Sequence, residues 1–200
     1  MLPNAMVPNT NVAPVARKNN AFKHLMSVHW IMAVCYLILF IGGTTMARLP
    51  DEFPFRGNFY GFHKGVGVLT IGILSWRIII LLRVWWRKYT KHSPRFSLAW
   101  LRKVLLHISL YLFMWVVPFT GVFLSNSYRS GNVSFLWMTL PDMFPKNAEV
   151  LGLARNLHFW LAYTFLAFTI LHTIDQRKVV WANWRRFLNW LKPKSIAGKA

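Results

Sequence analysis

The chain has 200 residues, 55% of them hydrophobic, with 11 Trp and 16 Phe, which excludes an ordinary soluble domain. A net charge of +19 invites a nucleic-acid partner, but the bases cluster beside long apolar stretches, and that pattern excludes nucleic acid in favour of an anionic lipid surface. The single cysteine, Cys35, excludes an intrachain disulfide and argues against a thiolate metal site.

Residues 1–21 contain Asn and Pro but no long apolar run, so they read as a disordered tail and not as a secretory signal. Four apolar stretches follow, about 28–46, 62–82, 104–124 and 157–174, each near the ~17–25 residues a spanning helix needs. The expected fold is therefore all-α: an integral membrane four-helix bundle over 22–175. The link after the second span, rich in Trp, Tyr, Lys and Arg, has headgroup-interface composition. The link from Ser125 to Asn156 is expected to lie on the membrane or cap the bundle through its FLWMTLPDMF portion. Residues 176–200 form a basic tail. In it Trp181, Trp184, Leu188 and Leu191 follow helical spacing, which predicts an amphipathic interfacial helix.

Charge gives the orientation. Arg17, Lys18, Lys23, the bases of the second link and those of the C-terminal tail share one side. Arg48, Arg56, Lys64, Arg129, Lys146 and Arg155 share the other, together with Asp51, Glu52, Asp142 and Glu149. The positive-inside rule then puts both termini in the cytoplasm of a multi-pass plasma-membrane protein.

His158 and His172 are 14 residues apart in the fourth span, just under four turns. They leave one face of the helix roughly 21 Å apart, one toward each edge of the hydrocarbon core. Ionisable residues within spans are costly and usually functional. Alternating helix direction places His29 at the depth of His172 and His63 at the depth of His158. Two imidazoles at each level predict two non-covalent haem b groups with bis-histidine ligation. His107 in the third span is the rival of His29. A hydrogen bond to a propionate or the wall of a quinone pocket is its preferred reading. His24 and His92 fall in interfacial flanks. Zinc is disfavoured, because its three or four ligands have to converge on one ion and these histidines separate into two depths.

Arg77, 14 residues after His63, returns to that face at the inner depth, either to meet a propionate or to snorkel to the interface. Lys64, Arg48, Arg56, Arg129 and Arg155 either do similar work on the outer side or are wet surface. Gly65, Gly67 and Gly72 are expected to clear space beside His63 or to mediate helix packing. Pro118 is expected to kink the third span. No Cys-x-x-Cys-His occurs, which excludes covalent c-type haem, and no phosphate-binding glycine loop occurs.

The ordered set SVHW, GFHKGVGVLTIGILSWRIIILLR, HISLYLFMWVVPFTG, YRSGN and LHFWLAYTFLAFTILH resembles the bacterial cytochrome b561 family over about residues 22–175. The resemblance implies a four-helix di-haem cytochrome with ligands at His29, His63, His158 and His172, and it matches His107 to the family's third-span histidine. It further implies electron transfer from a periplasmic donor to ubiquinone in the bacterial inner membrane. Some members oxidise superoxide, which makes superoxide the preferred donor here. The mixed charge of the outer face argues against a purely cationic funnel. The alternative is a membrane anchor and electron relay for a larger dehydrogenase or hydrogenase, docked through the apolar outer loop.

Overall fold

The computed structural model describes residues 16–89 and 97–191. Helix α1 runs Ala16–Met46, α2 Arg56–Tyr89, α3 Leu98–Tyr128, α4 Leu151–Asp175 and α5 Arg177–Leu191. Strands β1, Ser134–Phe135, and β2, Met138–Thr139, form a short antiparallel hairpin between α3 and α4. Four of the helices are long and apolar enough to cross a membrane. Each overruns its apolar stretch, because a backbone with no water to bond continues its own ladder to the interface. Helix α1 already begins at Ala16, inside the expected tail. Residues 1–15, His92 and residues 192–200 lie outside the described residues.

Local chemistry fixes several ends. Ser97 caps α3 by accepting from the Trp100 N–H at 3.1 Å. Gln176 closes α4 through its own N–H to the His172 carbonyl at 3.0 Å, and α5 starts at the next residue. Helix α5 buries no residue, so its apolar side, with Trp181 and Trp184, faces outward as expected of an interfacial helix.

Helices α1 and α2 pack as one pair and α3 and α4 as another, with α2 against α3 joining them. The core is a thin strip of Val28, Met32, Leu74, Leu110, Val117 and Phe165. Large apolar side chains such as Ile31, Leu37, Ile41, Leu105, Leu112 and Ile170 point outward. In water that surface is untenable, and in lipid it is the expected coat. We call the end of the bundle carrying the β-hairpin the hairpin end. The opposite end is the basic end, where Lys23, Arg83, Arg102, Lys103, Arg177 and Lys178 are exposed.

Candidate functional site

Seven residues is about two helical turns, a rise of roughly 10.5 Å, so residues at i, i+7 and i+14 share a face. All four spans carry this register. Helix α1 presents His29, Tyr36 and Gly43, and α2 presents His63, Thr70 and Arg77. Helix α3 presents His107, Met114 and Gly121, and α4 presents His158, Phe165 and His172. Antiparallel packing stacks them into three layers.

At the basic end, the His29 and His172 ring centroids are 6.2 Å apart with the rings at 80°. At the hairpin end, His63 and His158 are 6.3 Å apart at 89°. With a metal–nitrogen distance of about 2.0 Å and about 1.15 Å from ring nitrogen to ring centre, two imidazoles gripping one ion from opposite sides stand roughly 6.3 Å apart. Both pairs have that separation. His107 and His172 are only 5.2 Å apart, too close for an ion held in line between them. His107 is also exposed, and its Nδ1 meets the Lys103 carbonyl of its own helix at 2.6 Å.

The middle layer is dry and tightly bonded. Thr70 is 0% exposed, and its hydroxyl lies beside that of Tyr36. The Tyr36 ring meets Phe165 edge-on at 5.1 Å, and its hydroxyl donates to the Met114 carbonyl at 3.2 Å. That carbonyl is the one whose helical donor would be residue 118. Residue 118 is Pro118, which has no N–H, so Tyr36 supplies the missing partner.

Clearance around the histidines comes from neighbouring helices. A Cβ at Gly43 would stand 3.1 Å from His63 Cε1, and one at Gly121 would stand 3.1 Å from His158 Cε1. Of the glycines on α2, Gly67 and Gly72 face open space and Gly65 faces the Ser134 carbonyl. The sequence reading passed over Gly43 and Gly121. Their signal was spacing, 14 residues after His29 and after His107.

The basic residues are largely occupied. Arg77 is held at two points: its Nε donates to the Tyr111 hydroxyl at 2.9 Å and its Nη1 to the Leu25 carbonyl at 3.1 Å. Lys64 turns to the loop between α3 and α4, donating to the Asn132 carbonyl at 2.5 Å and its side-chain oxygen at 2.9 Å. Arg56 pairs with Asp51, and Arg48 donates to the Thr44 carbonyl. Arg129, Lys146 and Arg155 stay exposed.

Two levels of facing histidines inside four lipid-coated helices define a multi-pass membrane protein of the haem-binding, electron-transfer class. From residue 23 to residue 188 the sequence matches the family described as prokaryotic cytochrome b561, and the chain belongs to that family. It is also 24% identical over 151 residues to cytochrome b561 homolog 2 of Escherichia coli strain K12, covering 72% of this chain and 76% of that one.

The family implies b-type haem, and the residues fit it. Nδ1 of His63 and of His172 are buried with no hydrogen-bond partner, a cost of about 1–3 kcal/mol for a group left unused. Among the described residues no three His, Cys, Asp or Glu side chains converge to hold a metal. Each pair supplies two nitrogens, and the remaining ligands have to come with the bound group.

Proposed function

We propose that this protein is a di-haem cytochrome b that carries electrons across the bilayer, from a donor at the hairpin end to ubiquinone. His29 with His172 and His63 with His158 hold the two groups. The carrying observation is the pair of ring separations, 6.2 and 6.3 Å, on four helices at two depths. Haem b supplies reversible one-electron iron chemistry when bound. Gly43 and Gly121 leave room beside the rings, and the Tyr36, Thr70 and Phe165 layer keeps water out between the levels. His107 and Arg77 line the basic-end level. Orientation follows the bases: the basic end faces the cytoplasm of an inner membrane, and both termini lie there.

A reduced-minus-oxidised spectrum with haem counted per chain tests the reading. Two haems are expected, one after His29→Ala and two after His107→Ala. A colourless purified chain ends the proposal. Superoxide is the small-molecule donor we favour, although Lys64 and Arg56 are engaged within the protein and four exposed bases, Arg48, Arg129, Lys146 and Arg155, are left to attract an anion. Stopped-flow reduction by superoxide followed by reoxidation by ubiquinone is expected, and haems indifferent to superoxide remove that donor.

A second reading, an anchor and relay subunit with a protein donor, is favoured by the hairpin tip. Leu136 sits at φ 54, a strained conformation for leucine, and is exposed beside Trp137, which is 86% exposed. A stoichiometric subunit that co-purifies with the wild type and is lost after Trp137→Ser supports it.

A further inference from the structure

The two histidine pairs differ chemically, and the difference lies in the residues behind them. At the hairpin end a single turn of α3 surrounds His158. Its Nδ1 is 3.2 Å from the Val117 carbonyl and 3.1 Å from Thr120 Oγ1. Thr120 donates its own proton to the Val117 carbonyl at 2.7 Å, so it meets the imidazole with a lone pair. Both neighbours of Nδ1 are therefore acceptors. Nδ1 carries the hydrogen, and Nε2 keeps the lone pair for a metal.

The basic end differs. Nδ1 of His172 is buried with no acceptor, as is Nδ1 of His63 at the hairpin end, so each level holds one such imidazole and only the hairpin end adds the backed His158. Its own device is the Arg77 guanidinium, held by Tyr111 and the Leu25 carbonyl in the layer that carries His29 and His172. At His172 the carboxylate of Asp175, three residues on and 3.6 Å from Arg102, outweighs it, so the guanidinium acts chiefly on His29.

An imidazole whose N–H is held by acceptors is the more basic ligand and favours the oxidised, more positive iron. A fixed cation beside a site favours the reduced one. We propose that these two devices order the sites: the hairpin-end level has the lower reduction potential and the basic-end level the higher, with Thr120 and Arg77 as the positioning residues that set the gap. This rests on the di-haem reading. An electron admitted at the hairpin end then runs downhill to the basic end. One site is oxidised as the other is reduced, and no proton or leaving group moves.

Potentiometric reduction of the purified, haem-loaded full chain, followed at the haem α-band, tests the order. The wild type is expected to show two one-electron waves. Thr120→Val should raise the lower wave alone, and Arg77→Gln should lower the upper wave alone. Each shift should approach about tenfold in the reduction equilibrium, which is about 59 mV for one electron. Thr120→Ser and Arg77→Lys should stay near the wild type, which a merely structural role would not require. Should Arg77→Gln fail to assemble, Tyr111→Phe, which releases the guanidinium, has to lower the same upper wave. The ordering is overturned if Thr120→Val moves the upper wave, if the Arg77 or Tyr111 variant moves the lower, if no wave moves, or if the wild-type waves coincide. Fewer than two haems in the wild type overturns the di-haem reading itself, a result distinct from two haems with the wrong wave moving.

Discussion

Tyr36 shows how one side chain repairs a defect made by another. Pro118 removes an N–H from α3 and leaves the Met114 carbonyl without its helical donor, in a layer remote from water. The Tyr36 hydroxyl takes that place at 3.2 Å. Tyr36→Phe is expected to destabilise the bundle by about 1–3 kcal/mol in a denaturant titration, the cost of an orphaned buried acceptor. In a Pro118→Ala background, where residue 118 supplies an N–H again, the same change should cost markedly less. Equal costs in both backgrounds would show that the bond to Met114 carries no stability. Gly121 works by what it lacks. With only 3.1 Å between an added Cβ and the His158 ring, Gly121→Val is expected to displace the imidazole. Haem per chain should fall from two to one, while far-ultraviolet circular dichroism stays helical.

Among the elements, the loop from α3 to α4 is held more firmly than its length suggests. Asp142 accepts from the side-chain amide of Asn126 at 2.6 Å and from the Gly131 N–H at 3.0 Å. Asn126 is itself 1% exposed, and its side-chain oxygen accepts from the Met143 N–H at 3.2 Å. Gly131 stands at φ 63, where a side chain would be strained, so the turn depends on glycine as well as on the carboxylate. Lys64 ties the same loop to α2, one residue from His63. Asp142→Ala strands a buried amide and is expected to cost about 1–3 kcal/mol. The expected readout is faster protease cleavage within 129–148, with the four spans left intact. Uncut loop under conditions that spare the wild type would count against this clamp.

At the scale of the whole molecule, the asymmetry of charge is what supports the proposed direction in the membrane. The basic end carries exposed bases from α1, α2, α3 and α5. At the hairpin end several bases are spent on Asp51, Asn132 and backbone carbonyls. A reporter active only in the cytoplasm, fused after Ala200, is expected to work, and one inserted after Lys146 is expected to stay silent. The reverse result would invert the bundle and with it the entry side for electrons.

Much of this was legible in the chain because it follows from local regularities. Helical period and bilayer thickness act on consecutive residues, so four spans, two histidine depths and the matching depth of His63 and His158 follow from spacing and alternating direction alone. The choice between His29 and His107 did not follow, since both lie at one depth on different helices. Only the facing of α1 and α3 toward α4 separates 6.2 Å from 5.2 Å. The tertiary structure alone assigned clearance to Gly43 and Gly121, tied Arg77 to Tyr111 and put Val117 and Thr120 behind His158. The period of a helix says which of its residues share a face. What that face meets is set by how helices rotate and approach one another, and those contacts join residues as many as 78 positions apart in the chain.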